Sequence, residues 1–186
     1  NRLVAGPSEA RVLRLQPFRD RLFVFTTHGT YVIAGRSFAD FSIQPFALDL
    51  TLLAREAVAV CDDAVYAWCA QGIARLSDGG WEVVSTAIEP TVQDIVRQGV
   101  AGNGVPELAF AVGDTAQHRV LFWYPEHGSA GDVNGCGYAL VFDTRTGAWA
   151  HFEASKLNGN DFHDFRTHGT VRLSDKRVLL TSQRDT

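Results

Sequence analysis

Short runs of Val, Phe, Tyr, Trp and Leu recur along the chain, each closed by Gly or Asp, and helical periodicity is nearly absent. Such runs are strand chemistry, because β-branched and aromatic side chains pack well on a pleated surface. The clearest predicted strands cover residues 22–26, 31–34, 57–61, 65–69, 81–84, 108–112, 120–124, 138–142 and 148–152. Turn residues fall between them: His28-Gly29, Gln71-Gly72, Asp78-Gly79-Gly80 and Thr146-Gly147. The stretch Asp143-Thr-Arg-Thr-Gly147 suits a hairpin with glycine in the left-handed position. One segment, 91–100 (TVQDIVRQGV), predicts a helix, with Thr91 as N-cap and Val92, Ile95 and Val96 on one face. The expected fold is all-β.

The strands repeat as a group. Segments beginning at Asp20, Asp63, His118 and Lys176 resemble one another, with equivalent core positions at Leu22, Val65, Val120 and Val178. A recurrence of roughly 40–55 residues, each unit holding about four strands, is the signature of a β-propeller. The second unit predicts its four strands at 57–61, 65–69, 72–76 and 81–85. Two middle strands, Val65-Tyr-Ala-Trp-Cys69 and Val120-Leu-Phe-Trp-Tyr124, are apolar at consecutive positions. That pattern requires cover on both faces, which neighbouring blades supply and a two-sheet sandwich does not.

Residues 1–186 therefore read as a β-propeller region. Its blade units span about 11–50, 57–86 and 108–153, with a partial unit at 171–186 and a linker carrying the short helix at 87–107. The third unit carries a Gly-rich polar insertion, 125–137, of the kind that projects from a rim. The chain contains no Met and opens in mid-pattern, so it is expected to be a piece of a longer polypeptide. Strands that complete the ring are expected from outside it, or from the N-terminal residues 2–15.

Composition narrows the function classes. With 46% hydrophobic and 20% charged residues the chain has a globular balance, and no apolar run approaches the ~18–20 residues of a membrane helix. A net charge of −4 argues against a general nucleic-acid-binding surface. Cys61, Cys69 and Cys136 are an odd set without a CxxC pair, which fits small apolar fillers better than a disulfide framework or a zinc site.

Asp161, His163, Asp164 and His168 could ligate a divalent metal, but the spacing matches neither a helical motif nor one strand face, so a polar loop is the better reading. Gly131-Asp-Val-Asn-Gly135 opens like a calcium loop and lacks the distal Glu. Ala101-Gly-Asn-Gly-Val105 lacks the Lys-Ser/Thr of a phosphate loop, and no Gly-x-Ser-x-Gly elbow exists. The echo of Thr27-His-Gly-Thr30 in Thr167-His-Gly-Thr170 reads as reused turn chemistry. Trp68, Trp81, Trp123 and Trp149 fit blade core better than a sugar-stacking platform. No catalytic residue, metal ligand or cofactor is assigned. A propeller enzyme would need polar residues converging from the inner strands, and these are mostly apolar.

The order of the segments carries a resemblance. Phe18-Arg-Asp-Arg-Leu-Phe-Val-Phe25 and His28-Gly-Thr-Tyr-Val-Ile-Ala-Gly35 are followed by Phe41-Ser-Ile43. Then come Asp63-Ala-Val-Tyr66, Gly72-Ile-Ala-Arg75, Val83-Val-Ser85 and Ile88-Glu89. Arg119-Val-Leu-Phe-Trp-Tyr-Pro125, Tyr138-Ala-Leu-Val-Phe-Asp143 and Ala148-Trp149 complete the series. From about residue 11 to 153 it resembles the β-propeller-containing tail nozzle proteins of short-tailed bacteriophages. The segment 158–170 lies outside the resemblance. The resemblance implies a structural virion protein, not an enzyme, assembled in the host bacterial cytoplasm. It implies a homo-oligomeric ring, a hexamer in such nozzles, around a channel through which the genome leaves. Implied partners are a tail adaptor, a tail needle or fibre, and DNA that passes without specific binding. The alternative is a soluble propeller that recognises a peptide or glycan through the 125–137 loop.

Overall fold

A computed structural model describes residues 5–35, 37, 39–101, 108–125, 136 and 138–153, together with two strands at 167–172 and 178–182. The described residues are mostly β, with one α-helix. Sheet A contains β1 (Val12–Phe18), β2 (Arg21–Thr26), β3 (Gly29–Ala34) and β4 (Ser42–Ala47). Sheet B contains β5 (Val58–Cys61), β6 (Ala64–Cys69), β7 (Gly72–Ser77) and β8 (Gly80–Val83). Sheet C contains β9 (Phe110–Asp114), β10 (Arg119–Tyr124), β11 (Tyr138–Asp143) and β12 (Trp149–Glu153). Each is an antiparallel meander in chain order, and β13 (Thr167–Arg172) with β14 (Val178–Ser182) forms a hairpin. Among the described residues no sheet closes on itself.

Sheet B lies between the other two. All six residues of β6 are buried, and alternate ones enter different cores. Val65, Ala67 and Cys69 pack with Phe23 and Phe25 of sheet A. Ala64, Tyr66 and Trp68 pack with Val120, Phe122 and Tyr124 of sheet C. The consecutive apolar pattern in this strand thus reflects cover on both faces. Trp68 sits edge-on to Phe122 and Tyr124, with ring centroids 6.1 and 5.9 Å away. On the far side of sheet C, Trp123 stacks on Phe110, and both cluster with Cys136 and Ala139.

The first strands of sheets B and C touch along their backbones. The Ala111 amide donates to the Glu56 carbonyl at 2.9 Å, and Glu56 and Phe110 form a parallel bridge. Further along, a Cβ on Gly113 would lie 2.0 Å from the Val60 carbonyl oxygen, so only glycine permits this approach. Sheet A joins the same edge through Arg14, whose Nη1 lies 2.5 Å from Glu56 Oε2.

Several expectations are corrected. Residues 12–18 form β1, an edge strand of sheet A paired with β2, so this part of the N-terminal segment is not a ring-closing addition to another unit. The helix, α1, spans Glu89–Ala101 and follows a 3₁₀ turn at Thr86–Ile88. Thr91 therefore lies inside the first turn and is not the N-cap; Pro90 is tolerated there because the first-turn amides lack helical acceptors. Val92 is buried in the core between sheets B and C, with Ile95 packed against it. Thr167-His-Gly-Thr170 lies in β13, with an irregularity between Thr167 and Gly169, and is not a turn. In its counterpart, Thr27 and His28 form the turn and Gly29 and Thr30 open β3: Gly29 has φ +110°, and a Cβ there would meet the Leu48 carbonyl oxygen at 2.5 Å. The buried Thr26 and Thr30 hydroxyls donate to the Gly29 and Leu50 carbonyls at 2.8 and 2.9 Å.

Candidate functional site

Three hairpin turns at one end of the sheets share an unusual feature. Arg19, Asp62 and His118 have φ of 54°, 49° and 54°, and they are the non-glycine residues with positive φ among the described residues. Each stands in the turn between the first and second strand of its sheet. L-residues resist this conformation, with asparagine, aspartate and histidine the least reluctant. The second strand starts at Arg21, Ala64 and Arg119, so the three turns occupy equivalent places in the repeat.

These residues fasten one sheet to the next. Arg19 of sheet A reaches into sheet B: its Nη2 lies 3.0 Å from Asp63 Oδ1, and its Nη1 bonds Asp78. Asp63 lies in the β5–β6 turn and Asp78 in the β7–β8 turn. Asp62 of sheet B reaches into sheet C in the same manner. His118 Nδ1, in the β9–β10 turn, lies 3.1 Å from both of its carboxylate oxygens. The Thr144 hydroxyl, in the β11–β12 turn, donates to Asp62 Oδ2 and stands 3.0 Å from the His118 carbonyl. In both cases a left-handed residue in the first turn of one sheet holds the first and third turns of the sheet that follows.

The electrostatics match. Partial burial alone would push the Asp62 carboxyl up, but hydrogen bonds from Thr144 and His118, with the charges of His118 and Arg145, hold it below the ordinary aspartate range. The Arg19 guanidinium is held more firmly protonated by its bonds to Asp63 and the charge of Asp78. Asp62, His118 and Thr144 are nonetheless not a nucleophilic triad. The Thr144 hydroxyl donates to the carboxylate and not to the imidazole, and His118 Nδ1 meets that same carboxylate, so the hydroxyl–imidazole–carboxylate order of a triad is not formed. The arrangement joins turns.

A second polar cluster lies in sheet C: Tyr124 Oη and His151 Nε2 are 2.7 Å apart, and Tyr138 stacks on His151 at 5.6 Å. A depression of about 470 Å³ beside Arg14 is lined by Leu13, Leu52, Leu53, Ala54, Arg55 and Glu56. It runs along the junction of sheets A and B and contains one acid, Glu56, already paired. Among the described residues no group of three or more His, Cys, Asp or Glu could hold a metal ion.

Of the residues considered from sequence, Asp161, His163 and Asp164 lie outside the described residues, as do 131–135 and 102–105. His168 is a β13 residue. Of the 125–137 insertion, Pro125 and Cys136 are described. Cys61, Cys69 and Cys136 are buried thiols outside any disulfide; burial raises Cys69 strongly and pushes Cys136 up to about 12. Trp68 and Trp123 are fully buried, while Trp81 and Trp149 are partly buried against the cores. Trp149 Nε1 donates to the Val84 carbonyl at 3.1 Å, tying β12 to sheet B. Sequence reasoning did not find the role of Arg19, Asp62, His118 and Thr144. The repeat did hold a signal, in polar non-glycine residues at the same turn of three units.

No protein-family model matches this chain, and no curated protein matches it. No helix among the described residues is long and apolar enough to cross a membrane.

Proposed function

We propose that the three sheets are blades of a β-propeller, and that this propeller belongs to a ring-forming structural subunit of a short-tailed phage tail nozzle. One observation carries the blade reading: three four-stranded meanders follow head to tail, with the first strands of sheets B and C in backbone contact and Arg14 of β1 paired with Glu56 beside them. Propeller blades are related in that way, their first strands clustering about a common axis. The nozzle reading rests on the ordered series of segments between residues 11 and 153.

In this role the protein assembles, holds a channel open and lets DNA pass. The net charge of −4 supports a lumen that does not gather phosphate contacts and so does not retain a polyanion. Its partners are other copies of itself, a tail adaptor, and a needle or fibre. The deciding experiment is the native mass of the intact protein under assembly conditions, with a low-resolution image of the same sample. The expected result is a closed ring of about six subunits around a channel. A monodisperse monomer, unchanged when tail partners are added, would overturn the reading.

A further inference from the structure

The two larger cores reach the surface together at one end of sheet B. The segment before β5 turns sharply, with the Ala57 amide donating to the Ala54 carbonyl at 3.2 Å, so Arg55 and Glu56 stand at the tip of the turn. Behind this tip lies the depression lined by Leu13, Leu52, Leu53, Ala54, Arg55 and Glu56. Leu13 and Leu52 belong to the core between sheets A and B, and Leu53 and Ala54 to the core between sheets B and C. Its floor is therefore aliphatic, and its volume of about 470 Å³ lies within the range of ligand-binding clefts.

The polar rim is out of balance. Glu56 is its one acid, and Glu56 Oε2 takes Arg14 Nη1 at 2.5 Å. The buried Arg14 Nε meets no acceptor among the described residues, so this pair leaves a guanidinium donor unused. Arg55 is exposed and forms no ion pair or hydrogen bond among the described residues. Two guanidinium charges against one carboxylate leave a local positive excess, in a chain whose net charge is −4. The turn thus presents an unpaired cation directly beside an apolar floor.

We propose that this depression binds an extended segment of a partner protein in which a leucine stands next to an acidic residue. The aliphatic side chain lies on Leu13, Leu52 and Leu53, and the carboxylate pairs with the Arg55 guanidinium, whose planar fork can take both carboxylate oxygens. A phosphate is the poorer match, because its strongly hydrated charge would sit against the leucine floor. A fatty acid is poorer as well: a depression open to solvent suits a side chain presented from outside, whereas a long alkyl chain needs an enclosed cavity to leave water. The lining comes from β1 and the segment before β5, with no residue of the 125–137 insertion. Such binding requires neither the propeller nor the nozzle reading to hold.

The test is fluorescence anisotropy of the intact protein with a fluorescein-labelled peptide, GSGLDLEG. A contact of this size is expected to give a Kd on the order of 10⁻⁴ M at low salt. Peptides with serine for both leucines (GSGSDSEG), or with the two acids amidated (GSGLNLQG), should each bind at least about tenfold more weakly. Arg55→Glu should weaken the parent peptide by about tenfold or more, and Arg55→Lys by only about threefold, since the charge stays and the fork is lost. Arg145→Glu, in the β11–β12 turn at the opposite end of the sheets, should leave binding unchanged. Arg55 is exposed, and the urea midpoint of each variant shows that it is folded. Equal losses in Arg55→Glu and Arg145→Glu would reveal attraction to charge alone and overturn the proposal, as would equal binding of the serine peptide or no binding of the parent one. Octanoate should compete only at concentrations on the order of 10⁻² M; displacement of the peptide at far lower concentrations would assign the depression to a fatty acid and overturn it too.

Discussion

Replacing Gly113 with alanine tests the contact on which the arrangement of sheets B and C depends. The added Cβ would lie 2.0 Å from the Val60 carbonyl oxygen and 2.9 Å from its carbon. A carbon–oxygen contact normally stands at about 3.3 Å or more. The two strands would have to part by more than about 1 Å, and both sides of the clash are backbone, so no side chain can swing away. Parting them strains the Ala111–Glu56 hydrogen bond and opens the packing of Ala57, Ala59 and Cys61. Overpacking of this kind costs about 1–3 kcal/mol and a lost hydrogen bond about 1 more, so Gly113→Ala is expected to destabilise by about 3 kcal/mol. Gly79→Ala is the matched control. Its Cβ would meet nothing nearer than Ser77 Oγ at 3.9 Å. Without a clash it should be neutral or stabilising by about 0.4–1 kcal/mol, through the lower entropy of the unfolded chain. Urea unfolding followed by tryptophan fluorescence measures both. If the two variants agreed within about 0.5 kcal/mol, the close approach of β5 and β9 would be refuted.

Three further outcomes follow from the same geometry. Trp68→Ala empties the centre of the core between sheets B and C and should cost about 3–5 kcal/mol. Trp68→Phe should cost less than half of that, since the indole N–H makes no hydrogen bond; equal losses in urea unfolding would contradict the packing described. Asp62 titrates below its ordinary range when folded, so its contribution is present above about pH 4 and is lost as pH falls through the folded value. Asp62→Asn should therefore be less stable than the parent near neutrality, with the gap closing in acid; a gap that stays constant in unfolding curves down to about pH 3 would count against the Asp62–His118–Thr144 junction. Cys61, Cys69 and Cys136 should resist a thiol reagent until the chain unfolds, and rapid labelling of any of them in the native protein would contradict its burial.

The central strands were legible because each is sandwiched. In β6 and β10 apolar side chains stand on both faces, so neither strand needs a polar alternation to be recognised. The edge strands were harder. β1 mixes Arg14 and Gln16 with apolar residues and ends near Pro17, and β4 contains Pro45; both prolines are acceptable because an edge strand need not use every amide in a ladder. The helix was legible from Val92, Ile95 and Val96, but its start was not, since Glu89 and Pro90 enter through a 3₁₀ turn and not through a side-chain cap. The turn-to-turn contacts could not be read at all. Arg19 is 44 residues from Asp63, and Asp62 is 82 from Thr144. Nothing local distinguishes such residues from solvated turn polars.

Those same turns decide how the sheets can stack. A strand's side chains alternate, so a slip of one residue between the first and second strands would move Phe23 and Phe25, or Tyr66 and Trp68, onto the receiving face. The large rings would then meet the preceding sheet, and small residues such as Ala67 would be left facing the following one. In sheets A and B the two-residue turns Arg19-Asp20 and Asp62-Asp63 fix the register, with Phe18 opposite Arg21 and Cys61 opposite Ala64. The left-handed residue that makes each turn tight also carries the side chain that grips the next sheet. Register and neighbour contact therefore come from one residue: where the turn forms correctly, the aromatic face and the gripping side chain are aimed at the same sheet. This makes the order of the sheets directional, from A to B to C.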